Sequence, residues 1–560
     1  MTRPSCQACV RLSKVCTWPE TDVYKGKRPS GRQGGGSSGI ITTNNERERS
    51  ALIDHRPKDQ VNLPAEMKDF FDILESSSSN FSAPASGNGE SGSFRSVSLL
   101  NNFGTAPPIK FGPLDDFSSS PSSDSIGWLN QLIHSNPKSD STELNINSYA
   151  DDLLEHYSKF LSPLVSCTKE DLPSGFEAFT ALALDEMDFR PSTSALHLAI
   201  LSWTGRHLVN QGQLKYESVS EEYGAQAIDL LNASFQALST ENSPEDGGTE
   251  RVVSPDKEIE KMTLLAGTLM IMQHKICRGD VWGYEKFVGH LKTLYRTLYG
   301  SCPDSGTKKF NLLENLAYHD VLSSRILLDS PIVASSLLAE AACKSPNSVY
   351  TLTGLSLPVF VRMHQTAELI RERRANQFGG VDKDGTWTDE RLLDMVQKAQ
   401  KLESELQLEK DKASVLISQN PDLQHHHYLH EAFRIACLIF LHTSALCSPP
   451  QSFTIRLLVR QALSLLEVLA KRDIPGYCSA HWILFVTGLA ASATGHEPDK
   501  PSDRERVEKL YAIMLDQFRF LNVSRSRMLV YTVWERNDRG SLFVDWLDVA
   551  AEFDWDLFFV

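Results

Sequence analysis

From residue 147 onward, apolar residues return at three- and four-residue intervals, and no alternating run of strand length interrupts them. That periodicity commits the chain to helices, because a 3.6-residue repeat gathers such positions on one face, whereas a strand would scatter them over two. Leu153, Leu154, Tyr157, Phe160 and Leu161 make the first stripe, with Ser162 and Pro163 as its expected end. Ser192 or Ser194 is the expected cap of a helix whose Leu196, Ala199, Ile200 and Trp203 face inward. Further helices are expected near 218–239, 257–277, 284–299, 310–329, 357–374, 388–417, 426–447, 452–472, 478–493, 503–520 and 524–536. Breakers at 243–248, Cys302-Pro303, Pro346-Asn347, Gly379-Gly380, Pro449-Pro450 and 498–501 separate them. The expected fold class is mainly α, with roughly a dozen helices over 148–560.

Residues 34–147 have a different texture, rich in Ser, Gly, Asn and Pro, with serine-rich patches at 76–79 and 118–123. Such sequence buries too little apolar surface to offset the entropy of ordering it, so a disordered linker is expected. Two islands interrupt it. In 63–75, Met67, Phe70, Phe71 and Leu74 stand at helical spacing among Glu66, Asp69, Asp72 and Glu75. In 111–129, Phe111, Leu114, Phe117, Trp128 and Leu129 lie near Asp115 and Asp116. Acidic-aromatic islands of this kind can dock as short helices on coactivator grooves; the alternative is that they pack back on the folded body or do nothing.

The first 33 residues carry seven Lys/Arg against Glu20 and Asp22, a balance of +5, while the whole chain of 560 residues is at −15. The remainder therefore sums to −20, and a basic head on an acidic body is the asymmetry expected when only the head meets a polyanion. Within this head Cys6, Cys9 and Cys16 have C-x2-C-x6-C spacing. Two residues between the first pair let both sulfurs face one soft metal ion, and zinc is the expected cofactor. Three thiolates leave a tetrahedral zinc one ligand short. Lys25, Lys27, Arg28 and Arg32 come next as a basic linker suited to phosphate contact or nuclear import. The other seven cysteines share no spacing and are expected to be buried thiols. Neither a secretory h-region at the start nor an apolar run of membrane-spanning length is present in the sequence.

With Pro4, Thr17, Trp18 and Pro19 around it, the cysteine triad resembles the second half of the fungal zinc binuclear cluster (Zn2Cys6), in which six cysteines in two such halves hold two zinc ions. Residues 10–15 lack the dense Arg/Lys run of the family's first half. The first half is therefore expected to be missing, through a start placed an exon too late or through loss. The resemblance implies that Cys6 bridges two metals and that Cys9 and Cys16 are terminal ligands. Arg11, Lys14, Lys25, Lys27, Arg28 and Arg32 would contact the phosphates of double-stranded DNA, which positions a protein without specifying sequence.

The body is similar to the fungal-specific transcription factor regulatory domain. The likeness is carried by Leu154-Glu155-His156-Tyr157, by residues 196–208, and by Tyr318-His319-Asp320-Val321-Leu322. It continues in Val533-Trp534-Glu535 and Asp545-Trp546-Leu547-Asp548-Val549. These likenesses imply three regions: 1–33 a partial zinc cluster with its basic linker, 34–147 a linker, and 148–560 a helical regulatory domain. They imply a nuclear, sequence-specific regulator of RNA polymerase II promoters, with a homodimer and coactivators at 63–75 and 111–129 among its partners. The rival reading is a regulator that has lost DNA binding and acts through protein contacts. A small-molecule-binding protein or enzyme is a distant third.

Catalytic motifs are absent from the sequence: there is no G-x-S-x-G, no G-x-G-x-x-G after a strand and no H-E-x-x-H. His426 and His430 have metal-like i, i+4 spacing, but they sit among ordinary helix-core residues. His319-Asp320 has the composition of an acid/base pair, although such neighbours are usually satisfied core groups. The expectation is a protein that is not an enzyme.

Overall fold

The computed structural model describes residues 147–167, 191–241, 255–344, 348–379, 389–471, 476–493, 501–540 and 544–560. Every regular element among the described residues is helical, and β pairing is confined to isolated bridges at Ser323–Phe558 and Tyr350–Gly354. The helices are α1 (Asn147–His156), α2 (Pro191–Asn210), α3 (Glu217–Glu241), α4 (Pro255–Arg278) and α5 (Glu285–Leu298). They continue as α6 (Lys308–Val321), α7 (Ser335–Lys344), α8 (Leu357–Gly379), α9 (Asp389–Gln419) and α10 (Gln424–Phe440). The last five are α11 (Phe453–Leu469), α12 (His481–Leu489), α13 (Asp503–Phe518), α14 (Asn522–Asp538) and α15 (Trp546–Glu552). Among the described residues, no helix is long and apolar enough to cross a membrane.

Local chemistry sets many of the boundaries. Thr307 and Ser452 accept from Phe310 N and Ile455 N, and Ser502 forms a reciprocal capping box with Glu505. Ser192 and Ser194 lie inside α2 instead of at its cap, because Pro191 already occupies a helical position, where its fixed φ suits a first turn. The first stripe is also corrected. Leu153, Leu154, Tyr157 and Leu161 are buried, but Phe160 is 61% exposed. A π-helical turn at Tyr157–Leu161 adds a residue there and rotates Phe160 outward; the helical path then runs through Pro163 to Leu164.

Packing follows from residue size. Helix α2 lies along α3 and α4 at close range, where Gly205 faces Ser220 and Gly224 faces Ser202. A Cβ at Gly224 would come within 2.8 Å of Ser202 Oγ, so only glycine permits this crossing. On the other side α10 is surrounded by α8, α9, α11 and α12. Helix α12 is the most enclosed element, with Trp482, Ile483, Leu484, Phe485 and Val486 all buried. The tail runs back into this core: Phe559 stacks on Phe485 with ring centres 4.2 Å apart, and Asn522 Nδ2 donates to the carbonyls of Phe558 and Val560. Of the seven cysteines in the body, Cys343 is exposed and Cys447 half-buried, while the other five are buried as expected.

Candidate functional site

Cys6, Cys9, Cys16, Arg11, Lys14, Lys25, Lys27, Arg28 and Arg32, together with the islands at 63–75 and 111–129, lie outside the described residues. His426 and His430 are both buried in α10. His430 donates through Nδ1 to the Leu355 carbonyl at 3.2 Å, and burial holds its pKa at about 4. The neighbouring Glu431 is held by Arg434 in a two-pronged pair at 2.6 and 2.7 Å. Among the described residues, no group of three or more His, Cys, Asp or Glu side chains is arranged to hold a metal.

His319 and Asp320 are neighbours in sequence but serve different partners. His319 donates through Nδ1 to the Asn315 carbonyl at 2.8 Å, which leaves Nε2 to accept from Gln273 Nε2, also at 2.8 Å. Asp320 accepts the backbone N–H groups of Ile332 and Val333 at 2.7 and 2.9 Å, fixing the approach to α7. Burial depresses His319 to about 4 and pushes Asp320 up to about 7. Glu314, six residues earlier on α6, binds the N–H groups of Thr351, Leu352 and Thr353 in the same manner. These carboxylates cap loops in the interior.

One contact has the composition of a nucleophile and base: Ser202 Oγ lies 2.8 Å from His274 Nδ1, and Glu221 lies 4.0 Å from His274 Nε2. The proton runs the wrong way for that chemistry. The Ser202 hydroxyl donates its single hydrogen to the Ser220 carbonyl at 2.9 Å, so His274 donates to Ser202 and cannot accept from it. Ser220 returns the bond to the Ser202 carbonyl at 2.8 Å. This cluster joins α2 to α3 and α4.

The surface offers a better candidate, where the turn after α4, the start of α14 and the segment after α15 meet. Gly279 has φ +77°, and a Cβ on it would come within 2.8 Å of Leu521 Cβ; its carbonyl accepts from Arg525 Nε at 3.1 Å. The Arg525 guanidinium lies 5.8 Å from the centre of the Trp555 ring, and Phe553 stands 5.0 Å from the same ring. Asp556 N donates to Val281 O at 2.9 Å, which sets Trp282 beside this cluster. Trp282 is 54% exposed, Met528 43%, Leu521 37% and Phe553 36%. From the N-cap of α14 into the helix, Leu521, Arg525 and Met528 stand at i, i+4 and i+7, so they share one outward face. Two non-glycine residues with left-handed backbone, Arg519 (φ +57°) and Asp554 (φ +59°), border it. One local hint of this face is legible in sequence, a tryptophan between Gly279 and Gly283; the other members come from distant segments.

Among the described residues, buried carboxylates and histidines are spent on loops and helix crossings, and Trp282, Leu521, Met528 and Phe553 are among the apolar side chains left exposed, a build suited to an interaction module. The Fungal specific transcription factor domain matches residues 152–560, and the chain belongs to that family. That membership makes the chain a regulator of transcription. No curated protein and no solved structure matches it.

Proposed function

We propose that this regulator acts in the nucleus on RNA polymerase II promoters, as a zinc-dependent, sequence-specific DNA-binding protein. The observation that carries this reading is one chain joining a basic C-x2-C-x6-C head to a transcription factor domain over 152–560. Cys6, Cys9 and Cys16 supply thiolates, the donor type that zinc prefers in structural sites. Arg11, Lys14, Lys25, Lys27, Arg28 and Arg32 supply phosphate contacts, and the acidic remainder keeps the rest of the chain off the polyanion. In this reading the body serves homodimer formation and effector contacts, and 63–75 and 111–129 serve coactivators. A second reading, regulation through protein contacts without DNA, is favoured by the ligand count of Cys6, Cys9 and Cys16, since three thiolates leave one zinc position open.

Two measurements on the full chain separate these readings. Bound metal is counted after dialysis, and DNA affinity is followed against salt concentration. DNA binding that is lost on chelation and falls steeply with salt supports the first reading. In that case Lys25, Lys27, Arg28 and Arg32 replaced together by alanine should flatten the log–log slope by about 3–4 units. Cys6→Ser should abolish binding, because the head is held by its metal. A chain that retains no zinc and shows no salt-dependent affinity for any duplex would leave the second reading standing.

A further inference from the structure

The exposed face at Trp282, Leu521, Arg525, Met528, Phe553 and Trp555 combines apolar area with one cation. Among the described residues Arg525 has no carboxylate partner; its Nε is bonded to a backbone carbonyl and its plane lies toward Trp555. A surface of this make-up suits a short segment of aromatic and aliphatic side chains bearing negative charge. The chain carries such a segment. Residues 111–129 contain Phe111, Leu114, Phe117, Ile126, Trp128 and Leu129, with Asp115, Asp116 and Asp124 and no Lys or Arg.

Geometry also brings that segment within reach. Helix α1 begins at Asn147, and its ten residues span about 15 Å. At its far end His156 Nε2 is 2.9 Å from His207 Nδ1, and His207 Nε2 donates to the Phe518 carbonyl at 3.1 Å. Phe518 stands three residues before Leu521, so the start of the described body and the exposed face are roughly 25–30 Å apart along this path. Thirty residues join Phe117 to Asn147. Thirty residues can reach at most about 100 Å, so the chain is long enough to bridge that separation. Because segment and face belong to one chain, the contact is intramolecular, and a weak affinity suffices to hold it.

We propose that residues 111–129 of the same chain dock on this face, with Asp115 and Asp116 set against Arg525 and the aromatic side chains on Trp282, Leu521, Met528 and Phe553. While docked, the segment is withheld from other proteins. A partner that takes it up must displace it, and this makes the contact an autoinhibitory clasp.

The test uses the full chain with a benzophenone amino acid in place of Phe117, irradiated at low concentration and mapped by mass spectrometry. Crosslinks should fall on residues 521–531 and 553–555. Arg525→Glu should lower their yield about tenfold, and adding Asp115→Arg with Asp116→Arg should restore it, since the charges then oppose again. Met528→Glu, at an exposed position, should lower the yield too and guards against a folding defect in the Arg525 variant. Circular dichroism confirms that each variant is helical. Crosslinks spread over other surfaces, or yields indifferent to Arg525 and Met528, would overturn the proposal. So would crosslinks that join isotopically heavy to light chains in a mixture, because a second copy would then be the occupant.

Discussion

At the scale of single residues, the interior is organised by acids that accept from backbone. Glu314 is the clearest case. Its carboxylate takes N–H groups from Leu352 at 2.9 Å and Thr353 at 3.1 Å, and the loop it holds also receives Cys167 Sγ and Ser479 Oγ at the Leu352 carbonyl. Burial raises the pKa of Glu314, and the backbone donors offset part of that rise. An amide in its place would turn one acceptor oxygen into a donor facing other donors. Glu314→Gln should therefore destabilise the full chain by about 1–3 kcal/mol in urea denaturation, with Glu314→Ala at least as severe. A change within error would mean that the loop is held by Cys167 and Ser479 without it.

At the scale of elements, helix α9 shows what pattern can and cannot tell. Met395, Ala399, Leu402, Leu406, Glu409 and Ala413 are buried at alternating four- and three-residue steps, a seam turned toward α8 and α10. Leu408, two residues after the fully buried Leu406, is 51% exposed. Leu406→Ala should cost about 2–5 kcal/mol, whereas Leu408→Gln should stay within about 0.5 kcal/mol. Equal effects in chemical denaturation would refute that orientation. Periodicity predicts this helix at 388–417 and it lies at Asp389–Gln419, because its seam repeats over many turns. Shorter elements are less legible. The run expected at 310–329 ends at Val321, since Asp320 turns to cap the next loop and a 3-10 turn follows at Ser324–Leu327. The helices at Ser335–Lys344 and Trp546–Glu552 escape the pattern altogether, being too short for periodicity to accumulate. The exposed face around Arg525 is illegible for a different reason: its members are brought together only by tertiary packing of segments far apart in sequence.

At the scale of the whole molecule, buried histidines set the response to acid. His207, His274, His319 and His430 are held at about 4 and His481 at about 3, against an ordinary 6.5, because burial penalises the charged ring. A lowered folded pKa means that the unfolded chain takes the proton first. The stability these groups confer is present above 6.5 and lost as the pH falls toward the folded values, at about 3 kcal/mol for each of the first four and about 5 kcal/mol for His481. Asp320 works in the opposite sense. Raised from 3.8 to about 7, it favours the folded state below about 4, and that contribution is lost as the pH rises through 7. Glu314, also raised, acts on the same side as Asp320. Between about 4 and 6.5 five histidines gain protons on unfolding while Asp320 releases one and the raised Glu314 offsets part of another, a net uptake of between three and four. Stability should then fall by about 4 kcal/mol or more per pH unit, enough to exhaust a typical domain within two or three units. The full chain should lose its helical circular dichroism cooperatively between about pH 6 and 4. His481→Gln, which keeps a polar partner near Ser526, should flatten the slope by roughly one proton. If thermal unfolding midpoints were the same at pH 4.5 and 7, the histidines would have to be solvated in the folded state, and the close packing of α12 against the tail would be wrong.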